Sequence, residues 1–384
     1  MKFFHLSDLH IGKQLHHYNM VDEQRDILDQ IVELTKREQP DAVLIAGDIY
    51  DTPVPSAESV ALFDHFLTEL NEIEPRVTVC MIAGNHDSAK RLDFASSILA
   101  KHRVVIAGMP PVTEEEYLEQ AVFQDAHGEV AVYLLPFVKP SYVRGFGAEI
   151  STYEDAVHFL IEREQIDPEK RNVIVSHQFY TSEGVAPELS DSEIHLVGGL
   201  EQVDVSALNA FDYAALGHIH RKQKVGSEKN RYCGTPLQYS VSEAESPKAV
   251  LLVELGEKGK NPVITEIPLV PKRQVRKLTG TFEEVCAAAT EENCHDYVSI
   301  TLTDEVEAYR PKERLEEIYD HILEIRIDNE RTRRILDWKE EEMESLHPYD
   351  AFCSFFREMN GRDLTQEEDT RIREIINGET EVTE

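Results

Sequence analysis

The sequence predicts an α/β protein with a parallel or mixed sheet, and three observations carry that expectation. Short runs rich in β-branched and aromatic residues alternate with segments of helical period through the first hundred residues. Several of those runs are apolar almost without a break, as strands buried on both faces must be. Three prolines between Pro262 and Pro271 then mark a change in composition and a domain boundary.

The elements follow in order. Phe3 to Ser7 reads as the first strand, with Asp8 where it ends. A helix follows with Ile27, Leu28, Ile31 and Leu34 on one face and Pro40 beyond its end. Asp41 to Ala46 is a near-continuous apolar strand, and a second helix begins near Ser56 with Val60, Phe63, Leu67 and Leu70 at helical spacing. Arg76 to Ala83 leads into Gly84-Asn85-His86-Asp87. Further strands are expected at Val104 to Ala107, Val130 to Leu135, Asn172 to Ser176, Tyr213 to Leu216 and Ala249 to Leu255. The polar, glycine-containing stretch from Gln178 to Gly199 directly follows His177 and is expected at the substrate rim.

Beyond the prolines, Gln274 to Thr303 offers a strand, a short helix and a second strand. A charged helix is expected over Pro311 to Ser345, with Leu315, Ile318, Ile322 and Ile325 on one face. The last segment reads as a helical hairpin. Phe352, Phe355, Phe356 and Met359 form one apolar stripe, Ile372, Ile375 and Ile376 form another, and Thr365 with Glu368 has capping-box spacing. Such a hairpin is too small to bury much by itself, so it docks on the rest of the chain or on a partner. The expected domains are 1–270, 271–345 and 346–384.

Composition narrows the function. The net charge is −34, and residues 301–384 contribute −13 of it from 12 basic and 25 acidic side chains. That balance argues against a generic polyphosphate-binding surface. Five cysteines without a CxxC pair fit a reduced cytoplasmic setting rather than a disulfide scaffold or zinc finger. His5 and Asp8 interrupt the first residues too early for a signal peptide. No apolar run approaches the roughly 18 residues of a membrane span, so no membrane partner is expected.

Five motifs carry the chemistry: Asp8-Leu9-His10, Gly47-Asp48-Ile49-Tyr50-Asp51, Gly84-Asn85-His86-Asp87, Ser176-His177 and Gly217-His218-Ile219-His220. Each stands where a strand should end, and in open α/β sheets ligands bind at the carboxyl ends of strands. Hydrolysis of a phosphate ester needs a nucleophile at neutral pH and stabilisation of phosphoryl charge. Two cations roughly 3.5–4 Å apart supply both. Mixed carboxylate, imidazole and carboxamide donors suit first-row divalent ions. Asp48 is the natural bridging ligand. Asp8, His10 and His220 would hold one ion, and Asn85, His177 and His218 the other. His86 is set apart as the group that acts on substrate. Asp51 joins it as a catalytic candidate, with Asp87 as a second acceptor that orients an imidazole.

The ordered set resembles the calcineurin-like metallophosphoesterases over about residues 1–270, and more narrowly the bacterial nuclease subunits that work with an SMC-like ATPase. The opening Met1 to Lys13, Gly84-Asn85-His86-Asp87-Ser88, Ser176-His177-Gln178-Phe179 and Tyr232-Cys233-Gly234-Thr235-Pro236 carry the narrower likeness. Thr52-Pro53 after Asp51 departs from the Arg-Gly that protein phosphatases of the superfamily tend to show. The resemblance implies a two-sheet α/β sandwich, a small α+β capping domain and C-terminal helices that dock on the ATPase. It also implies two metal ions, Mn²⁺ foremost, a homodimer, and cleavage of DNA as exonuclease and endonuclease. Lys13, His17, Arg91 and Arg221, near the motif loops, are the candidate contacts to the DNA backbone. The rival readings are a phosphatase or phosphodiesterase for small substrates, and a scaffold subunit with a vestigial site.

Overall fold

A computed structural model describes residues 1–146, 150–193, 201–306 and 309–330, with scattered residues between 332 and 373. Strands β1 (Lys2–Leu6), β2 (Ala42–Ile45), β3 (Thr78–Ile82) and β4 (Val104–Ala107) alternate with helices α1 (Val21–Glu38) and α2 (Ala57–Asn71). Strands β5 (Glu119–Asp125) and β6 (Gly128–Leu135) form an antiparallel pair, and helix α3 (Tyr153–Arg163) leads to β7 (Arg171–His177). Then come β8 (Tyr213–Gly217), β9 (Gln223–Val225), β10 (Ser227–Tyr232), β11 (Ala249–Glu254) and β12 (Val263–Pro268). One six-stranded sheet has the order β12-β11-β1-β2-β3-β4 and the other β9-β10-β8-β7-β6-β5. Neighbours from β1 to β4 are parallel, as are those from β6 through β7 and β8 to β10.

Side-chain alternation explains why these strands are so apolar. Phe3, Ala42, Leu44 and Ile82 face Val132, Leu134, Val173, Val175 and Tyr213 in a core between the sheets. Their chain neighbours Phe4, Val43, Ile45 and Met81 face outward under Ile27, Ile31, Phe63 and Phe66 of α1 and α2. Tyr133, Ile174 and Leu216 do the same under Val157 and Leu160 of α3. Four layers result, helix on sheet on sheet on helix, with both faces of each sheet buried. The predicted two-sheet sandwich is the observed one.

Capping places the helices. Ser56 accepts a hydrogen bond from Ser59 N at the start of α2, and Thr152 with Asp155 forms a capping box at α3. The core face of α2 is Leu62, Phe63, Phe66 and Leu70, however, and Val60 is 46% exposed. Its register is therefore turned from the expected stripe. Helix α3, the β5 pairing and the β9–β10 hairpin lie outside the elements expected from the sequence.

The chain divides into two compact units. Met1–Lys277, with Glu291–Ser299 and Tyr319–Leu323, forms the first; Leu278–Thr290, Ile300–Ile318 and the described residues from 324 onward form the second. Strands β13 (Val275–Gly280), β14 (Tyr297–Leu302) and β15 (His321–Ile327) make a three-stranded sheet in that order, with α4 (Phe282–Ala287) after the first. Thr281 and Glu284 form a capping box on α4. The long charged helix is not observed. Helix α5 ends after six residues (Pro311–Glu316), and Ile322 and Ile325 belong to strand β15. Pairing with β14 overrides a spacing that helix and strand accommodate equally well. Residues 334–345 of that expectation lie outside the described residues, as do Phe355, Met359, Ile375 and Ile376 of the hairpin. Among those described, Phe352 and Phe356 have ring centroids 6.3 Å apart, and Thr365 N donates to Glu368 Oε2 at 2.9 Å as a capping box requires. No helix among the described residues is long and apolar enough to cross a membrane.

The corrected face of α2 is directly testable by urea denaturation. Phe66→Ala is expected to cost about 3–5 kcal/mol, whereas Val60→Ala should stay within about 0.5 kcal/mol.

Candidate metal centre

All five motifs stand at carboxyl ends of parallel strands. Asp8 follows β1, Asp48 follows β2, Asn85 follows β3, His177 ends β7 and His218 follows β8. The first three come from one sheet and the last two from the other, so the site occupies the seam where the two sheets meet.

Four of these residues hold left-handed backbone: Asp8 (φ 52°), His10 (φ 43°), Asp48 (φ 49°) and His218 (φ 102°). Such positions cost of order 1–3 kcal/mol each for non-glycine residues and cluster at functional sites. Close approach demands glycine beside them. A Cβ on Gly217 would lie 1.9 Å from the Ala46 carbonyl oxygen, and one on Gly84 would lie 2.1 Å from Asp48 Oδ1.

The donor atoms converge in two clusters. Asp8, His10 and His220 each offer an atom within 4.8 Å of the others, and His10 Nε2 is 3.2 Å from His220 Nε2. On the other side, Asn85 Oδ1 is 3.0 Å from His177 Nε2 and 2.9 Å from His218 Nδ1. Asp48 Oδ2 lies 3.7 Å from His10 Nε2 and 3.3 Å from His177 Nε2, so one oxygen borders both clusters.

The hydrogen-bond chemistry is that of a cation site. His177 Nδ1 lies 2.7 Å from the Ala46 carbonyl, an acceptor, so Nδ1 carries the proton. Its Nε2 faces Asn85 Oδ1 and Asp48 Oδ2, both oxygens, which favours positive charge there. Burial lowers the His177 pKa, but Asp48 and Asp8 outweigh it and raise it to about 9. Burial raises Asp8 to about 7, with the Asp48 charge adding to the effect. Burial also opposes ionisation of Asp48, yet His177, His10 and His86 hold its carboxyl well below the usual range. The buried His10 Nδ1 has no hydrogen-bond partner, and Asp51 Oδ1 stands 3.4 Å from it. A cation between the two opposed Nε2 atoms relieves this. His10 and His220 would hold it through Nε2, leaving His10 Nδ1 to carry a proton towards Asp51. The residues present therefore fit a pair of divalent ions.

His86, expected to stand apart from the metals, borders that donor set: it offers an atom within 4.8 Å of donors on His10 and Asp48, and its own contacts fix its position. Its backbone N donates to Asp48 Oδ1 at 2.8 Å, and its Nδ1 donates to the Asp51 carbonyl at 2.9 Å. Asp51 also accepts from Lys13 Nζ at 2.9 Å; burial raises its pKa, but His10 and Lys13 bring it down to about 2. Asp87 corrects an expectation. It orients no imidazole; its oxygens accept from the backbone N–H groups of Ile49, Tyr50 and Gly84 at 2.9–3.1 Å, joining the second motif to the third.

The four candidate substrate contacts are scattered. Lys13 is committed to Asp51. His17 is exposed on the small hairpin after the first motif, its ring against that of Tyr18 with centroids 4.1 Å apart and planes tilted by 36°. Arg91 lines a groove with Tyr50, Phe94 and Leu99. Arg221 donates to the Ser242 carbonyl at 3.1 Å and pairs with Glu188 at 3.5 Å. Behind His220 stands a network of half-buried Ser192 with buried Thr235, Glu243 and Lys248 that the motifs did not disclose. Of these, only Thr235 lies in a recognisable motif, Tyr232-Cys233-Gly234-Thr235-Pro236.

Removal of the Asp87 clamp is expected to loosen the site. Asp87→Ala leaves three N–H groups without their charged acceptor, which costs at least about 1.5–3 kcal/mol. Urea denaturation checks the loss, and Mn²⁺ titration should show weakened binding alongside it.

Comparison with known proteins adds the family. The profile of the calcineurin-like phosphoesterases matches residues 1–222, and that of the type 5 capsule protein repressor C-terminal domain matches residues 271–360. Two proteins named as the D subunits of SbcCD nucleases are similar end to end. The one from Staphylococcus epidermidis is 29% identical over 387 residues, and the one from Staphylococcus saprophyticus 30% identical over 383; each alignment covers 98% of both chains. A solved dimetal phosphatase from Danio rerio aligns with 71% of this chain and 97% of its own, at 15% identity and a TM-score of 0.42. The chain belongs to the calcineurin-like phosphoesterases, on the branch of the SbcCD nuclease D subunits.

Proposed function

We propose that this chain is a Mn²⁺-dependent DNA nuclease, acting as exonuclease on duplex ends and endonuclease on hairpin or single-stranded DNA. The observation that carries the reading is the single Asp48 oxygen bordering both donor clusters, in a chain similar end to end to named nuclease subunits. Asp8, His10 and His220 would hold one ion and Asn85, His177 and His218 the other, with Asp48 between. When bound, two such ions supply Lewis acidity and a nucleophile at neutral pH.

The chain's own residues do the rest. With Nδ1 committed to the Asp51 carbonyl, His86 offers Nε2 as its working atom, positioned to pass a proton to the leaving oxygen. Asp51 orients His10 and keeps Lys13 beside the site. Net charge does not oppose the reading. Two ions add four positive charges where the phosphate sits, while distant acid is screened beyond about 10 Å. Lys13, His17, Arg91 and Arg221 contact the backbone; Lys13 and Arg221 exchange their carboxylate partners for phosphate as they do so.

His86→Gln is expected to keep both ions and lose cleavage by about 10²–10⁴-fold. Linear duplex, hairpin and single-stranded DNA, with a generic phosphate ester beside them, are offered to purified protein with Mn²⁺ or chelator. Turnover of the small ester alone would favour the small-substrate phosphatase reading and overturn this one.

We also infer two protein partners. Val54, Val60, Phe94 and Ile98 are 66%, 46%, 82% and 62% exposed; Val60 and Phe94 line the groove beside Arg91, a cavity of about 500 Å³. Exposed apolar surface of this kind marks an interface, and a second copy of the chain is the occupant we assign. The residues from 346 onward dock on an SbcC-type, SMC-like ATPase. Light scattering with and without that ATPase separates the two interfaces. Phe94→Glu with Ile98→Glu should give a monomer that still captures the ATPase, and truncation after residue 347 a dimer that does not. The reverse pattern would contradict both assignments.

A further inference from the structure

His220 Nδ1 lies 2.7 Å from Ser192 Oγ, and that hydroxyl lies 2.8 Å from Glu243 Oε1. A carboxylate only accepts, so the single hydroxyl proton of Ser192 points to Glu243. Ser192 Oγ therefore accepts from His220 Nδ1–H. This fixes the imidazole tautomer with the Nε2 lone pair toward His10 and the first donor cluster.

Glu243 is fully buried, and its charge is fully matched. Oε2 accepts from Lys248 Nζ at 2.6 Å and Oε1 from Ser240 Oγ at 3.0 Å, while Thr235 Oγ1, 3.1 Å from Oε2, donates to the nearer Leu237 carbonyl at 2.7 Å. Lys248, 6% exposed, also donates to Thr235 Oγ1 at 2.6 Å and to the His220 carbonyl at 3.3 Å. A buried ion pair is generally no more stabilising than apolar residues of its size. Stability alone does not account for this one. The segment that supplies Ser192 is laced to the same stretch: Glu188 N donates to Gln223 Oε1 and Asp191 N to Ser242 Oγ, both at 2.9 Å, and Glu193 Oε1 accepts from His220 N at 2.5 Å.

We propose that Ser192, backed by the Glu243–Lys248 pair, is a positioning residue that sets the metal affinity of the His220 side of the centre. The segment after His177 thus supplies part of the metal site and not only its rim. The inference rests on the two-metal reading above. Partners in this position typically change metal affinity by about 10–100-fold.

The test is calorimetric titration of the full chain with Mn²⁺, with thermal unfolding as a control. Ser192→Ala should weaken one of two ions by about 10–100-fold and leave the other and the melting temperature unchanged. Ser192→Thr, which keeps the hydroxyl, should restore it. Added to His220→Ala, Ser192→Ala should produce no further loss, because it acts through that imidazole. Wild-type binding of both ions by Ser192→Ala would overturn the relay alone. A wild-type chain that binds no Mn²⁺ would overturn the metal reading beneath it.

Discussion

Asp48 and His177 come from different sheets, and their approach to 3.3 Å is the contact on which the site depends. Packing of the two sheets brings β2 and β7 together, and the Ala46 carbonyl holds His177 in place from the opposite sheet. The apolar core between the layers is thus also the device that sets ligand geometry.

That arrangement concentrates opposing electrostatics in a small volume. Asp8 and Asp48 share one buried site, with one carboxyl raised and the other depressed by their surroundings. Asp48 and Asp8 together favour positive charge at His177. The left-handed backbone at Asp8, His10, Asp48 and His218 stores further strain in the same place. The four layers of regular packing around the centre hold it there.

Much of this was legible in the chain. Strand ends are readable where apolar runs stop, and five of those runs end on or beside residues with metal-binding chemistry, so the loops that converge on the candidate centre could be located from order alone. What escaped had no local signature. Ser192, Glu243 and Lys248 lie 51, 5 and 56 residues from one another in the chain and meet only through the fold. Ile318, Ile322 and Ile325 fit a helical stripe, yet the latter two joined a strand because β14 offered a partner. Val60 matched the period of α2 and proved exposed, since the period does not state which of two adjacent stripes meets the sheet.

Asp48, at the seam, is the residue proposed to join two metal sites. The most direct measurement is anomalous diffraction at the manganese edge from crystals grown with Mn²⁺. Two peaks roughly 3.5–4 Å apart are expected, one beside Asp8, His10 and His220, the other beside Asn85, His177 and His218, with Asp48 between them. A single peak, or two that do not share Asp48, would contradict the account.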